Sequence, residues 1–310
     1  MQTLRFFSNS DIAASLAYPQ LIEALRVGLA EPCEAPVRVG YDLPEQASLL
    51  LMPVWQAGQG VGVKLVTVFP GNGARNLPAV AALFTLFDDR TGRPLALFEA
   101  SEMTARRTAC TSALAADYLT RKDARRLLIV GSGALAAHMV RAHSCVRPYD
   151  DIRIWGRDRA KVEPLVASLC AEGYPVRFAD NLQTCVEQAD TVTCVTTSRA
   201  PLVLGEWLRA GCHLDLVGAF LPSMRETDGA AVAKARIVVD TRAGAMDEAG
   251  DLLQAISEGA ISEAAISTQL VDLLKGQGAR TGAAEITLFK SVGYALEDLV
   301  AAKMLMSMPG

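Results

Sequence analysis

Apolar positions along this chain follow two rhythms. Residues 11–30 repeat with a helical period that puts Leu16, Leu21, Ile22, Leu25 and Leu29 on one side of an amphipathic helix. Short strand-like runs follow at 48–52, 61–69, 81–87 and 94–98, with Gly, Pro, Asn and Asp between them. They predict a mostly antiparallel sheet, and residues 104–119 predict a helix after it. From residue 127 apolar strands alternate with helical segments. Strands are expected at 127–130, 151–155, 175–178, 191–197, 213–218 and 237–240. Helices are expected through Met139, Val140 and Val146, and over 159–170, 182–189 and 207–211, the last ending at Gly211 as a C-cap. Such alternation implies right-handed crossovers and a parallel sheet. The tail, 287–306, predicts another amphipathic helix, with Leu288, Val292, Leu296, Leu299 and Ala302 packed on the first sheet or on another subunit. The expected architecture is α/β: a unit over 119–284 beside a discontinuous α+β domain over 1–118 and 285–310.

One turn within this pattern carries chemistry. In RRLLIVGSGALA (125–136) a buried strand stops at a glycine turn and a helix begins. That order suits a dinucleotide pyrophosphate and marks the central unit as a Rossmann domain. Gly131 permits the tight turn, Gly133 lets backbone approach a phosphate, and Ala136 keeps helix and strand close. Ser132, Ala134 and Leu135 complete the turn, where the helix start offers free N–H groups and partial positive charge. Ligands of such sheets bind beyond the carboxyl ends of the strands, so Arg157, Thr196, Thr197 and the Gly218-Ala219-Phe220 turn share that rim.

The end of the second strand bears on which dinucleotide binds. NAD sites usually place an Asp or Glu there for the ribose 2′-OH. Here that place holds Trp155 or Gly156, and Arg157 can meet a 2′-phosphate with a fork of donors. The reading favours NADP(H) over NAD(H). Asp158 is either a helix N-cap or, one register later, the ribose ligand.

Composition narrows the classes. At 310 residues, 51% hydrophobic and 21% charged, two soluble globular domains are expected. A net charge of -4 makes no electrostatic case for nucleic acid or an anionic membrane. No apolar run approaches a bilayer span, and MQTLRFFSNSD lacks the apolar core of a signal peptide, so a cytoplasmic location is expected. The seven cysteines show neither disulfide nor metal spacing, His138, His143 and His213 are too scattered for a metal site, so no metal is expected, and His138 and His143 read as structural.

Two residues of the first domain stand out. Lys64 lies in an apolar strand and either snorkels to solvent or points into a site. Arg107 lies on the helix over 104–119, placed either to hold a substrate carboxylate bidentately or to make a helix-surface ion pair.

These pieces together resemble the ornithine cyclodeaminase/mu-crystallin family. The resemblance rests on Pro36-Val37-Arg38, GVKLVTVFPGN (62–72), EASEMTARRTACTSALAADYL (99–119), VGSGALA (130–136), VGAFLPSMRE (217–226) and FKSVGYALEDL (289–299). It implies a substrate and dimerisation domain beside the Rossmann domain, a homodimer, and hydride transfer from a nicotinamide cofactor. The reacting carbon would bear nitrogen and sit next to a carboxylate. By resemblance Arg38, Lys64 and Arg107 bind that carboxylate, and Lys64 can supply the balancing proton.

Departures from the family pattern point to the substrate. Cyclodeaminases resemble G-G-D-C-P where this chain has Gly218-Ala219-Phe220-Leu221-Pro222, so their Asp is Phe220. They also carry a Glu where Leu50 stands. Lacking both carboxylates, the site suits reduction of a cyclic ketimine carboxylate, pyrroline-2-carboxylate or piperideine-2-carboxylate, with Leu50 and Phe220 against the ring. The alternatives are ornithine cyclodeamination with Glu226 or Asp228 replacing the lost acid, alanine-dehydrogenase-like chemistry, and cofactor binding without catalysis.

Overall fold

In a computed structural model, which describes residues 4–75 and 77–308, the chain divides into two compact units. One comprises Met1–Thr108 with Gly293–Gly310, the other Ala109–Val292. The joins thus fall at 108/109 and 292/293, where the sequence pattern suggested 118/119 and 284/285.

The first unit opens with β1 (Arg5–Phe7), α1 (Asn9–Ser15) and α2 (Tyr18–Gly28). The single helix expected over 11–30 is therefore two. Pro19 sits in the first turn of α2, where its missing N–H costs nothing; inside one continuous helix it would lack the bond to the Ser15 carbonyl and its ring would clash with that group. Then come β2 (Val39–Asp42), β3 (Ser48–Gln56), β4 (Gly60–Val68), β5 (Val80–Phe87), β6 (Pro94–Glu99) and α3 (Ala100–Leu119), which runs across the first join. The sheet order is β1-β6-β5-β4-β3-β2, antiparallel except for the β1–β6 pair. In-register neighbours across it, Met52, Lys64, Phe84 and Phe98, share the buried face. Gly62 makes room there: a Cβ on it would lie 2.2 Å from Phe84 Cζ.

The second unit contains β7 (Arg126–Val130), α4 (Ala134–Val146), β8 (Asp151–Trp155), α5 (Arg159–Ala171), β9 (Val176–Phe178), α6 (Leu182–Gln188), β10 (Thr191–Cys194) and β11 (His213–Leu216). After them come α7 (Gly229–Lys234), β12 (Arg236–Val239), α8 (Arg242–Glu248), α9 (Gly250–Ser257), β13 (Thr268–Gln269), α10 (Leu270–Leu274) and β14 (Thr287–Lys290). All eight strands pair in parallel, in the order β13-β12-β14-β11-β10-β7-β8-β9. The order reverses between β7 and β10, the switch point at which such sheets take a ligand.

Two further expectations need correction. Residues 207–211 form no helix: a 3-10 turn covers Gly205–Trp207, and Gly211 is glycine because its φ is +82° and the Ala283 carbonyl lies against it. Thr287–Lys290 is not the start of the tail helix but a strand buried on both faces between β11 and β12. A short apolar run has the same appearance in either state. The tail helix is α11 (Ala295–Ser307), which packs on α2, β3 and β4 within the first unit. Residues 295–302 are buried on every side.

Candidate active site

Strand alternation turns Lys64 toward the core side of its sheet, with Gly62 and Val66. Only 1% of Lys64 is exposed, so its ammonium must find charge inside the unit. It comes from α11. Glu297 and Asp298 interrupt the apolar helix and are themselves fully buried. Lys64 Nζ donates to Asp298 Oδ2 at 2.7 Å. Arg107 Nε donates to Asp298 Oδ1 at 3.2 Å, and its Nη1 to Glu297 Oε2 at 2.5 Å. Burial excludes a snorkelling lysine at 64, and the ion pair expected as one alternative for Arg107 is present but buried rather than on the helix surface. Gly293 completes the cluster: its φ is +79°, and a Cβ there would lie 2.7 Å from Arg107 Nη1.

Two cations and two anions thus form a buried set with no net charge. Burial lowers the Lys64 pKa most, the Arg107 charge lowers it further, and Asp298 and Glu297 oppose both, leaving it at about 8. Burial also disfavours the Arg107 cation, but Asp298 and Glu297 outweigh that and hold its pKa above the ordinary value. Arg107 is therefore a fixed cation, and Lys64 holds its proton less firmly than an ordinary lysine. An ammonium has three donors, and Asp298 takes one of those on Lys64.

Arg38 is half-buried just ahead of β2, and Leu50 is half-buried on β3 with its side chain on the Lys64 side of the sheet.

In the second unit, Gly131 is buried at φ +126°, and a Cβ there would meet the Val195 carbonyl oxygen at 2.8 Å. Its N–H donates to the Trp155 carbonyl at 2.8 Å, which ties the turn to the end of β8. Gly133 is different. It is exposed, its φ of −78° suits any residue, and a Cβ would meet no protein atom within 4 Å. Nothing in the chain requires glycine there, so the open space fits a group that approaches from outside. It is the N-cap of α4 and supplies no capping side chain, so the first N–H groups of that helix remain available to an anion. Ser132 and Leu135 are half-buried and Ala134 is exposed. This donor set fits a dinucleotide pyrophosphate.

At the end of β8, Gly156 is tightly packed: a Cβ would lie 2.7 Å from Val162 Cγ2 and 3.0 Å from Ser132 Oγ. Asp158 caps α5, its Oδ1 accepting the Ala160 N–H at 3.1 Å. Arg159 is occupied with Glu163, Asp180 and the Phe178 ring. Arg157 is exposed beside them, with no recorded ion pair among the described residues.

Thr196 and Gly218 turn their N–H groups to protein. Glu226, fully buried, accepts Thr196 N–H on Oε1 at 2.6 Å, and Gly218 and Ala219 N–H on Oε2 at 2.8 and 3.2 Å. Gly218 is required: a Cβ there would lie 2.0 Å from the Thr196 carbonyl oxygen. Asp251 Oδ1 accepts the Glu226 and Thr227 N–H groups, and Lys290 Nζ donates to Asp251 Oδ2 at 2.9 Å. Asp228 caps α7 through the Ala231 N–H at 2.9 Å. Thr197 is exposed, and Phe220 is half-buried against the core of the parallel sheet. A buried Ser112–His143–Asp215 group has the residue types of a hydrolase triad, yet all three are fully buried and pin α3, α4 and β11 together.

Sequence reasoning missed Glu297, Asp298, Asp251 and Lys290. One signal existed for the first two: adjacent acids inside an apolar helix cannot be buried unless they pair.

Comparison with known proteins agrees with this geometry. A model of the ornithine cyclodeaminase/mu-crystallin family matches residues 8–308. A delta(1)-pyrroline-2-carboxylate reductase from Paracoccus denitrificans is 37% identical over 303 residues, covering 97% of this chain and 96% of its own. The solved Thermococcus litoralis delta(1)-pyrroline-2-carboxylate reductase, in complex with NADH and L-proline, superposes with a TM-score of 0.94 at 31% identity, covering 97% of this chain and 96% of that one. An archaeal alanine dehydrogenase dimer with bound NAD gives 0.92 at 26% identity, over 97% and 94% of the two chains.

Proposed function

The chain belongs to the ornithine cyclodeaminase/mu-crystallin family, and from that premise we propose that it is an NAD(P)-dependent reductase of a cyclic ketimine carboxylate, pyrroline-2-carboxylate or piperideine-2-carboxylate. The observation that carries this reading over cyclodeamination is the state of the remaining acids. Phe220 stands where cyclodeaminases resemble an Asp, and the substitutes Glu226 and Asp228 are already committed to backbone N–H groups. Neither of these two carboxylates is left free to hold and deprotonate a side-chain amine.

When bound, the dinucleotide supplies the hydride for the C=N carbon. The chain supplies the rest. Arg107, with Arg38, holds the substrate carboxylate, and Lys64 gives its proton to the ring nitrogen as the carbon is reduced, so one hydride and one proton convert C=N to CH–NH. Asp298 keeps Lys64 oriented through the 2.7 Å bond and stabilises its protonated form. Leu50 and Phe220 are assigned to the apolar ring. Gly131, Ser132, Gly133, Ala134 and Leu135 are assigned to the pyrophosphate. Thr197 also contacts the cofactor, whereas Thr196 and Gly218 shape its rim.

The test is oxidation of NADPH and NADH with each cyclic imine, beside NAD⁺ reduction and ammonia release with L-ornithine. Rapid imine reduction and silence on ornithine are expected. Proline and ammonia from ornithine would overturn the reading.

Arg157 is the proposed 2′-phosphate ligand, which makes NADP(H) the preferred cofactor. Arg157→Ala should weaken NADPH about tenfold, the worth of one charge-assisted hydrogen bond, and leave NADH unchanged. Equal changes for both nucleotides would transfer the preference elsewhere.

A homodimer is the proposed assembly. Val39, Tyr41, Trp55, Val61, Leu65 and Leu83 are each at least 36% exposed on the face of the antiparallel sheet opposite Lys64. A contiguous apolar face of this kind suits a second copy. Sedimentation as a monomer would remove that assignment. Seven free cysteines suit a reducing compartment, for which the cytoplasm is proposed. No helix among the described residues is long and apolar enough to cross a membrane.

A further inference from the structure

We infer that Glu226 is a positioning residue for the nucleotide site: its carboxylate fastens the turns after β10 and β11 to each other, and taking up a proton there loosens the rim and weakens cofactor binding. The inference rests on the dinucleotide reading of the glycine turn. It stands first on geometry. One carboxylate accepts three backbone N–H groups from two turns that lie at the carboxyl ends of adjacent parallel strands. Gly218 admits it, since a Cβ at that position would lie 2.5 Å from Glu226 Oε1. Asp251 on α9 holds the Glu226 backbone, and Lys290 at the end of β14 holds Asp251. One side chain therefore ties two turns at the cofactor end of the sheet, and Asp251 with Lys290 anchors its backbone.

Charge makes the arrangement sensitive to protons. Burial raises the Glu226 pKa most, and Asp251 raises it further. Lys290 and the Thr196 bonds lower it, and the outcome is about 7. The groups around it are Asp251 from α9, Lys290 from β14, the Cys194 thiol from β10, and the N–H groups of the two turns. A protonated carboxyl loses its charge and gains an O–H, so the three N–H groups no longer donate to an anion and their bonds weaken. As pH falls through about 7 the rim loosens. By linkage, a ligand that needs the firm rim releases this proton on binding.

The test is NADH binding followed by nucleotide fluorescence, without substrate, across the neutral range. NADH is the probe because the 2′-phosphate of NADPH titrates in the same range. The wild-type protein should bind about tenfold more tightly above the transition than below it, the worth of one charge-assisted hydrogen bond. Glu226→Gln should bind weakly and without pH dependence, while Glu226→Asp should recover part of the dependence. A wild-type affinity constant with pH overturns the inference even if the glutamine variant fails to fold. Absence of NADH binding at every pH would instead remove the dinucleotide site itself. A folded Glu226→Gln with wild-type affinity and pH dependence also overturns the role of Glu226.

Discussion

Lys64→Met should lower kcat for imine reduction by about 10²–10⁴-fold, the range supplied by a positioned general acid. Methionine fills the same space without a proton. Asp298 keeps Arg107 as its counter-ion, so the loss of stability should be smaller than in Arg107→Leu, which removes the cation from Glu297 as well. The sign with pH follows from the lysine pKa of about 8. Reduction needs the ammonium, so kcat should fall as pH rises through that value. Oxidation of the cyclic amino acid needs the neutral amine and should rise through it. Asp298 favours the protonated form, so Asp298→Asn should move the reductive limb to lower pH. Rates measured in both directions across pH check this. A Lys64→Met enzyme with wild-type kcat would remove Lys64 as the acid. A limb unmoved in Asp298→Asn would remove the carboxylate's influence on it.

Arg107→Leu should destabilise the first unit by about 3–5 kcal/mol, the usual cost of breaking a buried ion pair from one side. The reason is what stays behind. Glu297 loses the cation 2.5 Å away, and Asp298 keeps only Lys64. A carboxylate stranded in the core has its folded pKa raised above the unfolded value. Its neutral form is tolerated, so the deficit should be small in acid and widen as pH rises above the carboxylate range. Adding Glu297→Leu to Arg107→Leu should recover part of the loss, because it removes the orphan rather than a contact. Urea unfolding of the single and double variants at acid and neutral pH decides the matter. A deficit that does not change with pH, or no recovery in the double variant, would mean that packing rather than charge holds this cluster.

Much of the molecule is legible in its sequence because local physics dictates it. The apolar run GVGVKLVTV assigns β4, but which of its faces turns inward, and so whether Lys64 is buried, is decided by packing. The apolar run before Gly131 and the helix after it identify the nucleotide turn, since only glycine can take φ +126° against the Val195 carbonyl. Where the reading failed, the local signal was ambiguous. Thr287–Lys290 is apolar in a way that suits a strand or a helix, and only its place between β11 and β12 decides. The break between α1 and α2 was visible at Pro19, whose missing N–H and ring clash keep it out of a helix interior but not out of a first turn.

By itself, then, the chain determined its element types, the parallel and antiparallel halves, the nucleotide turn, and Lys64 and Arg107 as the residues to watch. Those follow from periodicity, glycine geometry and the rarity of a charge within an apolar strand. Only the tertiary structure decided what those charges do. It brought Glu297 and Asp298 from a helix about two hundred residues away onto Lys64 and Arg107, and it set Glu226 on two turns at once. Ion pairs of that kind depend on which surfaces lose water together, and this is fixed by packing across distant segments rather than by spacing along the chain.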